Sequence, residues 1–157
     1  YDDCVNGAKD VLAKFDESFP HWKGRGYEIA GFVWFQGHKD SGSELTAARY
    51  EQNLVNLIKS LRKDFNAPSA PFVVAVGCGN PGREGHGLTV AKAQLAVDGS
   101  AGKYPDFKGN VKTVDTRDFF PKLEDSPKNQ DFHYHQNAGA YMQIGEAMAQ
   151  GMKELIK

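Results

Sequence analysis

Two histidines, His133 and His135, follow Asp131 in the run DFHYHQN at 131–137. An imidazole close to a carboxylate, on a loop that leads into a helix, has the chemistry of a general base. One of the two is expected to face a site, with Asp131 as the nearby acid. Two histidines without further clustered ligands make a weak zinc site, and a solvated pair fits the same residues. A second candidate lies at 32–40, FVWFQGHKD, where an apolar run ends in Gln36, Gly37, His38, Lys39 and Asp40. A Gln side-chain N–H at a strand end can donate to a developing oxyanion, and a glycine beside it lets a substrate approach the backbone. The same Gln equally suits a purely local task, capping the strand end and fixing the loop. A third candidate is Gly77-Cys78-Gly79-Asn80-Pro81-Gly82, which fits G-x-G-x-x-G behind an apolar run. In a dinucleotide site the third glycine opens a helix; here Arg83 to Gly87 continue the loop, and the acid at the right distance, Asp98, falls at a helix end. A glycine-rich surface loop explains it as well.

A nucleophile is harder to find. None of Ser18, Ser41, Ser43, Ser60, Ser69, Ser100 and Ser126 stands in G-x-S-x-G or in a sharp strand-to-helix turn. Ser41 and Ser43 suit helix capping. Cys78 at a strand end reads as a small buried residue more readily than as a reactive thiol.

These residues need elements to hold them. Apolar spacing predicts helices over 3–18, 47–65, 88–97 and 138–156. Short β-branched and aromatic runs predict buried strands at 27–35, 72–76 and 110–115. Strands alternating with helices imply a mostly parallel sheet covered on both faces. Ligands in such folds bind outside the carboxyl ends of the strands, where the loops after Phe35, Val76 and Asp115 lie. Three strands are few for a doubly wound sheet, which usually has about five.

The chain's 157 residues correspond to one domain, with a formal charge of -1 from 19 Lys and Arg against 20 Asp and Glu. That balance argues against a nucleic-acid partner. The longest apolar run is too short to span a bilayer, so no membrane is expected. Two cysteines, Cys4 and Cys78, do not fix a redox compartment.

The run Gly31-Phe32-Val33-Trp34-Phe35-Gln36-Gly37 resembles the W-[YF]-Q-G block of carbohydrate esterases of the sialate O-acetylesterase type, which are SGNH/GDSL hydrolases. Residues 50–65 look like that family's next helix, and His133-Tyr134-His135-Gln136-Asn137-Ala138 looks like its C-terminal histidine block. The likeness runs from about Tyr27 to the end. It implies a three-layer α/β/α sandwich with a flavodoxin-like sheet. It also implies a serine esterase that removes acetyl groups from sugars without a metal or organic cofactor, in a periplasmic or secreted setting. Gln36 then stands in the oxyanion block and a histidine of the last block is the base, with His133 favoured and His135 the alternative. Gly37, His38, Asp40 and Trp34 are expected to meet the substrate, and Trp34, Trp22 and Tyr134 to stack on sugar. Many relatives carry Glu where this chain has His38, so Asp40 is expected to fill the acidic role. The spacings from Asp131 to His133 and His135 both miss D-x-x-H by one residue. The family's G-Q-S-N-type serine block has no counterpart here. This implies that 1–157 is the C-terminal part of an SGNH hydrolase domain, incomplete at its N-terminal side, with the serine on a preceding segment or a second chain. The rivals are a non-catalytic carbohydrate-binding or scaffolding domain of the same fold and, less favoured, a dinucleotide-binding domain.

Overall fold

Three short strands, β1 (Phe32–Trp34), β2 (Phe72–Val76) and β3 (Val111–Asp115), form one parallel sheet in the order β1-β2-β3 in the computed structural model, which describes residues 1–79, 81–130 and 132–156. The apolar run FVVAV becomes the central strand, and all five of its residues are buried. Side chains alternate along a strand, so β2 feeds two separate cores. Phe72 and Val74 pack with Tyr50, Leu54 and Ile58 of α3 (Glu44–Asp64) and with Val90 of α4 (Gly85–Ala96). Val73 and Ala75 pack on the other side with Ala140, Ile144 and Met148 of α5 (Ala138–Leu155). The result is three layers: α3 and α4, the sheet, and α5.

The long helices begin where side chains satisfy their first N–H groups. Ser43 accepts from the Thr46 N–H at 3.3 Å, so α3 starts three residues before the apolar stripe predicts. Asn137 accepts from the Ala140 N–H at 3.2 Å at the start of α5. The predicted N-terminal helix breaks at Lys14, which gives α1 (Asp2–Ala13) and α2 (Phe15–Ser18). The expected strand over 27–35 shrinks to β1. Only β2 pairs with it, and Val33 is 61% exposed, so this is an edge strand of the described sheet rather than a buried one. Among the described residues no helix is long and apolar enough to cross a membrane.

Two close fits fix the layers. Arg62, buried near the end of α3, donates to the Ala70 carbonyl at 2.8 and 3.0 Å and to both oxygens of Asn110, tying the entries of β2 and β3 to that helix. On the other face, a Cβ on Gly151 would meet Val114 Cγ2 at 2.8 Å, so α5 lies on the sheet only because this position has no side chain. Gly151→Val should therefore destabilise the fold by about 1–3 kcal/mol, the usual cost of overpacking. Chemical denaturation checks this; an unchanged midpoint would mean that α5 does not pack this closely.

Candidate active site at the carboxyl edge of the sheet

The loop leaving β1 is held by buried polar groups. The Gln36 carbonyl accepts from the Tyr50 hydroxyl at 2.7 Å and from Gln94 Nε2 at 2.8 Å. Gly37 is buried with φ at +153°, and a Cβ there would lie 3.0 Å from Val90 Cγ1 and 3.1 Å from Gln94 Nε2. Glycine is required here by the packing of α4 on the loop. The Gln36 carboxamide donates to Asp40 Oδ2 at 2.7 Å. Asp40, expected to play the acidic part, thus orients Gln36. One of the two Nε2 hydrogens is used in this bond, which leaves the second for another acceptor. Trp34 is half-buried, donates from Nε1 to the Tyr50 hydroxyl at 3.4 Å, and lines a mostly apolar cavity of about 320 Å³ with Leu54, Leu57 and Asp40.

The glycine-rich loop after β2 packs on the first loop. Gly79 has φ at +81°, and a Cβ on it would meet His38 Cβ at 2.6 Å. The second glycine of a dinucleotide fingerprint admits a pyrophosphate to the backbone; in this chain that room is taken by the His38 side chain. α4 opens at Gly85, three residues after Gly82. Asp98 lies beyond the far end of that 12-residue helix, about 18 Å away at ~1.5 Å per residue. There it accepts from the Thr113 N–H at 2.7 Å and the Ser100 N–H at 2.8 Å. Burial raises its carboxyl, but these hydrogen bonds outweigh it and hold the group below its usual range. The geometry thus gives a local reason for Gly79 and another task for the acid.

Cys78 sits between the two glycines, half-buried. Burial pushes its thiol up to about 11, and a backbone hydrogen bond from His38 only partly offsets that. Ser41 donates to the His38 carbonyl at 2.7 Å and Ser43 caps α3. At the exit of β3, Arg117 Nε bonds Asp115 at 2.8 Å and Arg83 pairs with Asp118.

The histidine block closes the site from the other face of the sheet. His133, Tyr134, His135 and Gln136 all have φ between 51° and 59°, a left-handed turn made without glycine. Each such residue costs roughly 1–2 kcal/mol. Tyr134 anchors the turn. It is 1% exposed, its hydroxyl donates to the Gly77 carbonyl at 2.8 Å, and it accepts from the Gly79 N–H at 3.3 Å. A buried Tyr134 has no face to offer a sugar, which corrects the stacking expected of it. In an extended strand, residues two apart share a face; the turn instead separates the histidines. His133 is exposed, with its ring 5.9 Å from that of His38, which in turn stacks on Phe132. His135 is 8% exposed and edge-on to Phe120, and its Nδ1 accepts from the Gln130 N–H at 3.2 Å. Asp131, the expected acid, lies outside the described residues. Among the described residues no group of three or more His, Cys, Asp or Glu is placed to hold a metal ion.

Sequence reasoning missed Gln94 and Tyr50, and gave Tyr134 the wrong task. Gln94 left a signal: Val90, Gln94 and Val97 follow helical spacing, so a carboxamide stands on the apolar stripe of α4.

A parallel α/β sheet gathers a carboxamide, two histidines and a glycine-rich loop at its carboxyl edge, where ligands bind in α/β folds of this class. The profile of the carbohydrate esterases described as sialic acid-specific acetylesterases matches residues 1–154, and the chain belongs to this family. An Arabidopsis thaliana protein named "Probable carbohydrate esterase" is 32% identical over 126 residues, 80% of this chain and 40% of its own length. The X-ray structure of that Arabidopsis protein superposes with a TM-score of 0.63 at 28% identity, covering 96% of this chain and 53% of the other. The chain thus spans about half the length of the solved relative.

The half-buried thiol of Cys78 gives a direct check on this geometry. Near pH 8 a thiol held at about 11 is thiolate to only about one part in a thousand. Iodoacetamide at that pH should alkylate the exposed Cys4 and spare Cys78. Peptide mass mapping that finds Cys78 labelled as fast as Cys4 would contradict its burial.

Proposed function

We propose that this chain supplies the base and the oxyanion side of a carbohydrate O-acetylesterase whose serine nucleophile comes from outside these 157 residues. Membership of the carbohydrate esterase family supports the reaction class. The observation that carries the assignment of roles is the contact of His133 with His38, one residue beyond Gln36-Gly37. It brings an exposed imidazole to the loop that holds a spare carboxamide N–H.

In this reading the serine oxygen attacks the acetyl carbonyl while His133 takes its proton. The second Nε2 hydrogen of Gln36, aimed by Asp40, donates to the carbonyl oxygen as it becomes anionic. His133 then gives its proton to the departing sugar hydroxyl, and water releases acetate from the acetyl-serine by the same sequence. His135 is less suited to be the base. Its Nδ1 already accepts a backbone N–H, so the neutral ring carries its hydrogen on Nε2 and presents a donor there. Four of the seven serines have local tasks: Ser43 caps α3, Ser41 and Ser126 bond backbone carbonyls, and Ser100 bonds Asp98. That supports an external nucleophile, and the length of the relatives leaves room for one.

The chain alone should give no burst of p-nitrophenol from p-nitrophenyl acetate. With the serine-bearing segment restored it should turn over, and His133→Ala should lower kcat by about 10²-fold or more. His135→Ala should cost less than roughly tenfold. Ordinary turnover by the chain alone would overturn the external serine, and a larger loss at His135 would move the base there.

A further inference from the structure

We infer that Gln94 is a positioning residue for the site, a single carboxamide that locks the β1 and β2 exit loops in one arrangement. The inference rests on the esterase reading for its consequence and on the geometry alone for its substance. Gln94 is 0% exposed, in the middle of α4. Its Oε1 accepts from the Gly77 N–H at 3.2 Å, and its Nε2 donates to the Gln36 carbonyl at 2.8 Å and to the Tyr50 hydroxyl at 3.2 Å. Gly77 is the first residue after β2, and Gln36 is the second after β1. Gln94 therefore spans the two strand ends, and with Tyr50 it is one of two donors on the Gln36 carbonyl. The Gly77 carbonyl, one peptide plane from that N–H, accepts from Tyr134 at the anchor of the histidine turn. The oxyanion loop and the histidine turn are thus joined through Gln94, Gly77 and Tyr134. Gly37 has no Cβ because Gln94 Nε2 lies where one would press. A side chain that merely filled this space would be apolar, like Val90 and Val97 on the same stripe.

Two variants separate positioning from packing. Gln94→Met keeps the volume and removes both functions. Gln94→Glu keeps the shape. Its carboxyl, raised by burial, can while neutral accept from Gly77 and donate to Gln36, and once ionised it cannot donate. In ¹H–¹⁵N spectra of this chain, Gln94→Met should make the Gly77 amide exchange roughly fivefold faster or more. It should shift the resonances of 36–38 and 77–79 while leaving β3 and α5 in place. Gln94→Glu should match the wild type near pH 5 and acquire the same shifts as pH rises toward about 9. In the serine-bearing enzyme, the kcat of Gln94→Met should fall by roughly tenfold to a hundredfold with KM little changed. The ratio of Gln94→Glu to wild type should fall with pH. Unmoved resonances at 36–38 in Gln94→Met, a Gln94→Glu spectrum that tracks the wild type at every pH, or moved resonances with kcat unchanged would each overturn the inference. If the wild type turns over no acetyl ester at all, the esterase reading fails, and the spectra alone decide the role of Gln94.

Discussion

The carbonyl oxygen of Gln36 carries two donors, the Tyr50 hydroxyl from α3 and the Gln94 carboxamide from α4, and the candidate site depends on this junction. Buried polar groups are costly unless every member finds a partner, and a satisfied network fixes one arrangement of its surroundings. Here the arrangement sets where β1 ends, which way the Gln36 side chain leaves the backbone, and how closely α4 approaches Gly37. Burial pushes the Tyr50 hydroxyl up to about 12, so it stays a donor throughout the physiological range. Trp34 completes the junction through its indole N–H. The site thus stands on the buried side of two helices and does not rely on the loop holding itself.

The sheet and its covering helices were legible because their signals are redundant. FVVAV is apolar throughout and short, and it becomes the central strand with the predicted ends. The stripes of α3 and α5 bury Leu54, Ile58, Ile144 and Met148, as periodicity predicts, and leave Tyr141 exposed. Boundaries moved where a cap or a partner decides. Ser43 extends α3, and β1, paired with β2 alone among the described residues, spans three residues.

The site was legible in part. The sequence puts Gln36, Gly37 and one histidine, His133 or His135, at one edge of the sheet, and the structure sets the ring of His133 5.9 Å from that of His38 in the Gln36 loop. Other tasks were hidden because they arise from contacts between distant segments. Nothing near Gly79 announces that His38 will pack on it, so its glycines imitate a phosphate loop. Asp40 reads as an acid in search of a histidine until its bond to Gln36 is seen. The backbone of the histidine run could not be read at all, since four residues other than glycine in left-handed conformation contradict every local preference.

That turn has a consequence for how the chain would respond to selection. Glycine adopts left-handed angles without the steric cost that His133 and His135 bear, so their replacement by glycine would relieve strain while removing the imidazoles. On the proposed reading, stability and chemistry pull in opposite directions at His133, as they often do at sites built on strained backbone. A population evolved for heat resistance alone would feel that pull at 133, where the ring is exposed, more than at 135, where a buried ring packs on Phe120 and accepts from the Gln130 N–H. It would reach a sturdier protein with a vacant edge to its sheet, and its core, already closely packed around β2, would be among the last parts to change.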